Sequence, residues 1–456
     1  MSEDCKIKKG EKLDLIIDNI KYPNTGVAFC NKHQIQIKNV LPGQKVKVRI
    51  KKKKKKYYEG KLLEILENSP LEGEKLCEHY NNCGGCNRQR IGYEKQLDIK
   101  ENQIKELFKI NNLKDINFLG IESSPNVCEY RNKMEFTFGD YNKDGYLQLG
   151  MHPQGKRFDI VTVETCILVD SDFRMILQRV LNHFRKLNFK KYHVISKEGY
   201  LRNLVIRKGL KTGEILVNII TTSQNKYNFD KFTQELLDLN LKGNIVSILH
   251  TINDDYADAV KCDKLINLYG KDYYTENIMN LSFKITPFAF FQPNTLGAER
   301  LYDTVLDFIQ KPEDKIVYDL YCGTGTISQF IAKKAKKVYG IEIIKEAIEI
   351  AKNNAKLNNL DNCTFKAGDV LDKLKELKEK ADIIIIDPPR PGIHPKALED
   401  IIKVEANEII YVSCNPKTLV RDLKEFTNHK YKIKKVKCVD MFPHTHHLET
   451  VVHLIK

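Results

Sequence analysis

Ile316-Val317-Tyr318-Asp319-Leu320-Tyr321-Cys322-Gly323-Thr324-Gly325-Thr326 reads as a strand, a glycine turn and the start of a helix that continues from Ile327. That order builds a nucleotide-type site, because glycine lets the backbone approach a ligand closely. Two competing sites are argued against. The third glycine of a dinucleotide fingerprint is missing, and no Walker lysine follows. From about residue 286 strand and helix patterns alternate, the signature of a parallel sheet with crossover helices. The expected fold class is therefore α/β.

Outward from that turn, Lys337-Val338-Tyr339-Gly340-Ile341 is a second strand ending at Glu342, where a carboxylate can accept from both hydroxyls of a ribose. Glycine turn and acid together point to an adenosine ligand, and the missing glycine favours S-adenosylmethionine over NAD. Asp369 sits where such sites often meet the adenine. Ala381-Asp382-Ile383-Ile384-Ile385-Ile386 is a continuous apolar run, as in a strand buried on both faces. It empties into Asp387-Pro388-Pro389-Arg390-Pro391-Gly392, a rigid loop headed by an acid at the ligand-binding edge. Glu408-Ile409-Ile410-Tyr411-Val412-Ser413 delivers Cys414, followed by Asn415-Pro416, and a cysteine exposed there is a candidate nucleophile. Glu449 stands at the entry of the last apolar strand. His444, His446 and His447 lie nearby without a carboxylate or cysteine at familiar metal-site spacing.

The chain has 456 residues and a net charge of +15. Residues 1–60 hold 16 Lys and Arg against 6 Asp and Glu, with Lys51 to Lys56 in a row. A basic surplus suits an acidic partner such as nucleic acid. Leu13–Ile17, Ile35–Ile37 and Val46–Ile50 read as short strands separated by turn signals, which predicts a small OB-like barrel over residues 1–67. Residues 89–110 read as a helix, and 115–285 as mixed strands and helices. Arg131, Arg202 and Arg207 lie on or beside strands, where they either meet phosphate or line a sheet face. The start lacks a signal-like segment and no apolar run approaches a membrane span, so a cytoplasmic protein with no membrane partner is expected.

Of 12 cysteines, Cys77, Cys83 and Cys86 fall within ten residues. Gly84-Gly85 between the last two lets one loop aim several thiolates at one centre. Zinc and an iron–sulfur cluster both suit such ligands. Cys128, Cys166 and His79 are candidates for a fourth ligand, and spacing does not choose among them.

Together these residues resemble the RNA 5-methyluridine methyltransferase family, the rRNA uracil-5 enzymes and their tRNA relatives. The resemblance rests on Tyr321-Cys322-Gly323-Thr324-Gly325, Asp387-Pro388-Pro389-Arg390, Ser413-Cys414-Asn415-Pro416, His447-Leu448-Glu449-Thr450 and Phe290-Phe291-Gln292-Pro293-Asn294. It implies a TRAM barrel over 1–67, a central α+β domain over 68–285 and a Rossmann-like class I methyltransferase domain over 286–456. It implies that Gln292, Tyr321, Glu342, Asp369 and Asp387 line the cofactor and base pocket, with Cys414 as nucleophile and Glu449 as general base. Cys77, Cys83, Cys86 and Cys166 match the ligands of a 4Fe–4S cluster. The expected partner is RNA, 23S rRNA first and tRNA second, and the expected state is a monomer. A cytosine-5 methyltransferase shares the thiol chemistry, and a non-catalytic RNA-binding protein could retain the fold.

Overall fold

An eight-stranded sheet carries the C-terminal half. Its order is Cys363–Ala367, Lys337–Glu342, Ile316–Leu320, Ile383–Ile386, Glu408–Ser413, Glu449–Ile455, Lys432–Val439 and Asn117–Glu122. The computed structural model describes residues 7–142, 145–256 and 260–456. The first five strands are parallel, and Glu449–Ile455 runs antiparallel between Glu408–Ser413 and Lys432–Val439. The α/β expectation holds, and its cause is visible: all four residues of Ile383–Ile386 are buried, as helices on both faces demand. Strand order reverses at Ile316–Leu320, between Lys337–Glu342 and Ile383–Ile386. In open sheets of this kind, ligands bind at that switch point, beyond the carboxyl ends of the strands.

Six strands lie between Lys12 and Glu67, in the order Lys12–Ile16, Lys45–Lys53, Tyr58–Glu67, His33–Lys38, Thr25–Cys30 and Asn19–Lys21. The first and last of these are successive halves of one bent stretch, so the sheet closes on itself. Val46, Val48 and Ile50 point inward with Ile35 and Ile37 and are fully buried, while Lys47 and Arg49 face outward. Half of the lysine run, Lys51 to Lys53, continues that strand. A seven-stranded sheet occupies the middle of the chain, from Lys133–Gly139 to Lys264–Gly270. Helix Ser171–Lys186 buries Phe173, Ile176, Leu177, Val180, Leu181 and Phe184 in the core of that region. Among the described residues no helix is long and apolar enough to cross a membrane.

Two elements sit elsewhere than the sequence placed them. The helix begins at Tyr93, with Gly92 at its N-cap, not at residue 89. Both it and Asn117–Glu122, read as parts of the central unit, pack on the C-terminal sheet, the strand pairing parallel with Lys432–Val439. Apolar alternation marks a strand but does not say which sheet it joins. The helix is held by an ion pair between Lys100 Nζ and Asp440 Oδ1 at 2.6 Å, with side chains 1% and 0% exposed. Lys100 also donates to the carbonyl of Phe442 at 3.2 Å. Removing one partner of a buried pair strands the other charge, so Asp440→Ala should cost about 3–5 kcal/mol. A shift in the urea midpoint, with an unchanged slope, measures it.

Candidate active site

A cavity of about 1720 Å³ opens at the carboxyl ends of the C-terminal sheet. Gln292, Tyr321, Glu342, Asp369, Asp387, Cys414 and Glu449 all line it. The structure therefore brings together, from seven chain segments, every residue that the sequence assigned to cofactor binding and catalysis.

One end is built around the glycine turn. Tyr321, Gly323 and Gly325 adopt φ of 65°, 54° and 72°. Gly325 is required twice over: its φ is left-handed, and a Cβ there would lie 2.7 Å from the ring of Phe365. Tyr321 holds a left-handed backbone without that freedom, a strain that tends to persist at functional sites. Glu342 Oε2 accepts from the Gly323 amide at 3.2 Å and Oε1 from the Ile344 amide at 3.0 Å, so the acid at the second strand end braces the glycine turn. Asp369 caps helix Val370–Lys375, its Oδ1 accepting from the Leu371 amide at 2.8 Å. Gln292 is buried, and its carbonyl accepts from Asn132 Nδ2 at 2.9 Å. This end suits a nucleoside with free ribose hydroxyls.

The other end is acidic, with Glu449 buried and Asp387 and Cys414 half-buried. Ser413 faces Thr450 across an antiparallel pair, so Cys414 leaves one strand where Glu449 enters the next. Asn415 Nδ2 donates to the Arg390 carbonyl at 2.9 Å, tying the cysteine turn to the proline loop. Burial, helped by Asp387, pushes the Glu449 carboxyl up to about 8. Burial and Asp319 push Asp387 up to about 7. Burial, then Glu449 and Asp387, push the Cys414 thiol up to about 12, against the opposing charge of Arg390. A thiol facing two carboxyls across one cavity can add to an electron-poor ring carbon, with a carboxyl placed to move a proton.

The three cysteines of the 77–86 loop meet a fourth. Cys77, Cys83, Cys86 and Cys166 line a second cavity, of about 40 Å³, together with His79. Cys128 stands apart, 4.0 Å from His444 Nε2. Gly84 crosses close to His152, whose carbonyl would lie 2.8 Å from a Cβ at that position. Burial raises the thiols of Cys83, Cys86 and Cys166, and neighbouring thiols of the set raise them further. A soft, four-thiol donor set suits iron–sulfur or zinc chemistry. Among the described residues no three Cys, His, Asp or Glu side chains are grouped as a ready single-ion site; the four thiols surround a cavity instead.

Several residues resolve against a role in chemistry. Arg207 is buried and donates to the carbonyls of Pro287 and Ala289 at 3.1 and 2.6 Å. Arg202 donates to the carbonyls of Asn253 and Asp255 at 3.0 and 2.7 Å. His444 and His446 hold the chain: the His444 amide donates to Gln96 Oε1 at 2.8 Å, and His446 Nδ1 meets Asn87 Nδ2 at 2.7 Å, whereas His447 lines the large cavity. Burial lowers His446 to about 4 and His447 to about 3, so both stay neutral. Two placements were not fixed by the local sequence, although Arg131 was singled out there. Arg131 lines both cavities, and Tyr22 of the N-terminal barrel feels the charges of Cys414 and Glu449.

A thiol moved from an ordinary 9.0 to about 12 carries roughly a thousandfold less thiolate at neutral pH. In the ligand-free protein, Cys414 should therefore be alkylated slowly by iodoacetamide at pH 7.5, with a rate still rising at pH 10. Peptide mass spectrometry of timed samples reads the rate, and an early plateau would contradict the assignment.

Residues 92–456 match the family described as tRNA (Uracil-5-)-methyltransferase. Two relatives, each described as an uncharacterized RNA methyltransferase, cover 98% of both chains. One from Clostridium tetani is 54% identical and one from Clostridium acetobutylicum 50%. Among solved structures, the Pyrococcus abyssi tRNA (uracil-54, C5)-methyltransferase in complex with S-adenosyl-L-homocysteine covers 97% of this chain and 100% of its own, at a TM-score of 0.76 and 26% identity. Glycine turn, switch-point cavity, whole-length likeness and family match agree: the chain belongs to the tRNA (uracil-5-)-methyltransferase family and is an S-adenosylmethionine-dependent RNA methyltransferase.

Proposed function

We propose that this methyltransferase modifies carbon 5 of a uridine in RNA through a covalent bond between Cys414 and carbon 6 of the base. The observation that carries the reading is the strand register that delivers Cys414 and Glu449 to one cavity. Carbon 5 of uracil is a poor nucleophile. Addition of the Cys414 thiolate at carbon 6 places the electron pair on carbon 5 and oxygen 4 as an enolate. S-adenosylmethionine would supply an electrophilic methyl group, which carbon 5 takes as the methyl–sulfur bond breaks and S-adenosylhomocysteine leaves. Glu449, as carboxylate, then removes the carbon 5 proton; the C5–C6 double bond re-forms and expels Cys414. The base must leave its stack for its face to be attacked, which single-stranded and loop nucleotides allow most easily. The first substrate proposed is 23S rRNA, from the family resemblance of the cysteine set and barrel. tRNA is the second reading, favoured by the Pyrococcus abyssi relative, whose named substrate is uracil 54 of tRNA.

The test uses RNA from cells lacking the protein, fractionated into rRNA and tRNA, with labelled methyl donor. Wild type should yield 5-methyluridine on nucleoside mass spectrometry in one fraction. Cys414→Ala should yield none while binding S-adenosylmethionine normally, and Glu449→Gln should accumulate a protein–RNA adduct that resists denaturing electrophoresis. Product at 5-methylcytidine, or full turnover by Cys414→Ala, would overturn the mechanism.

The reading extends to the four thiols. Cys77, Cys83, Cys86 and Cys166 would hold a 4Fe–4S cluster, supported by their shared cavity and soft donor set. Its role would be structural, because methyl transfer moves no electron through it. Anaerobically purified protein should carry about four irons and four acid-labile sulfides per chain. Cys86→Ser should lose both and lower the thermal midpoint; stoichiometric zinc in the wild type would replace the cluster reading.

A further inference from the structure

One turn of the N-terminal barrel, at Tyr22, lies beside the segments that carry the reactive edge. Tyr22 follows strand Asn19–Lys21 and precedes Thr25–Cys30. That turn is fastened from beneath. Arg88, fully buried, donates to the Pro23 carbonyl at 3.0 Å, and Gln103 Nε2 donates to the Ile20 carbonyl at 3.0 Å. The Tyr22 ring meets His446 edge-on at 6.5 Å between centroids. His446 lies 4.2 Å from the ring of His447, which lines the large cavity. Lys417 Nζ stands 5.9 Å from the Tyr22 centroid, and Lys417 is the third residue after Cys414. Arg390, exposed, lines the same cavity. Burial, then the charges of Cys414 and Glu449, push the Tyr22 phenol up to about 12, so the ring stays neutral. A half-buried aromatic ring with Lys417 near it is thus joined through His446 and His447 to the cavity that Arg390 and Cys414 line, and the methyl-transfer steps use none of Tyr22, Lys417 and Arg390.

We propose that Tyr22, Lys417 and Arg390 form a subsite for the nucleotide adjoining the target uridine, its base stacked on Tyr22 and its phosphate against the two cations. A uridine drawn into the cavity leaves its neighbour with an uncovered face, and aromatic side chains commonly cover such faces. Cations beside the ring suit the phosphate that joins the two nucleotides. The barrel then takes part in orienting the substrate at the reacting end. This inference rests on RNA uracil-5 methylation being the activity.

The chain contains no tryptophan, so Tyr22→Trp gives a reporter confined to this position. The probe is the rRNA or tRNA fraction that wild type methylates, taken from cells lacking the protein. Its addition should quench the emission with the midpoint found by filter retention, and S-adenosylmethionine alone should not. Tyr22→Ala should lower kcat/KM for RNA by roughly 5- to 100-fold, the range of a lost stacking contact. The KM for S-adenosylmethionine should stay unchanged, and Tyr22→Phe should stay within about twofold of wild type, since stacking needs only the ring. Lys417→Ala should reduce the slope of log affinity against log salt by about one. Unquenched emission from a Tyr22→Trp protein that retains RNA would overturn the subsite and leave methylation standing. It decides even where Tyr22→Ala fails to fold. A wild type that methylates no RNA would remove the activity itself, and the subsite with it.

Discussion

The active site depends on one antiparallel strand in an otherwise parallel run. In a parallel sheet every strand presents its carboxyl end to the ligand edge and its amino end to the opposite edge. Glu449–Ile455 is reversed, so its first residue arrives where Glu408–Ser413 finishes. A thiol just past one strand end and a carboxyl at the next strand's first position meet through that arrangement. The reversal also forces the approach, residues 440–448, to run along the ligand edge. That segment is not left to find its own path. Asp440 is tied to Lys100, the His444 amide to Gln96, and the His444 carbonyl accepts from the amides of Asn87 and Arg88, each at 3.0 Å. The position of Glu449 is thus set by a helix and a loop far away in sequence.

Electrostatics decide what that geometry does at rest. Asp387, Glu449 and Cys414 share one cavity; Asp387 raises the proton affinity of the other two, and Glu449 raises that of Cys414. Arg390 opposes the shift at Cys414 and Glu449 but does not reverse it. The helix that starts at Pro416, two residues past Cys414, adds a favourable dipole at its N-terminus. Burial wins, so the ligand-free pocket holds a neutral thiol. A neutral thiol is a poor target for oxidation, which follows thiolate character. Such a pocket would keep its thiol intact and form the thiolate only when a ligand has rearranged the surrounding charges.

The catalytic half was legible because its chemistry sits at strand ends. Asp387, Cys414 and Glu342 each follow a run of apolar or β-branched residues, and one buried sheet aims all such ends at one edge. The glycine turn was legible because left-handed backbone and close packing leave few residue types at Gly325. What escaped was long-range. Asn117–Glu122 alternates like any edge strand, and its hydrogen-bonding partner lies more than 300 residues away. Arg131, Arg202 and Arg207 looked equivalent in the sequence, yet only Arg131 faces both cavities, because which carbonyls surround a guanidinium is a property of the packed chain. Tyr22 carried no signal, since its role depends on where a closed barrel is docked.

That docking bears on the meaning of the basic surplus. A barrel on a flexible tether would raise only the local concentration of RNA near the cavity, with an effect governed by tether length. Here Arg88 and Gln103 grip the backbone of the turn next to Tyr22, and Arg88 is buried as it does so. Lys47 and Arg49 are therefore held in a fixed relation to Cys414. Phosphate contacts made by such a rigid array constrain the register of a strand as well as its affinity, because a nucleotide held at the barrel fixes how much chain remains to reach the cavity. The barrel's charge is sequence-blind, but its placement need not be.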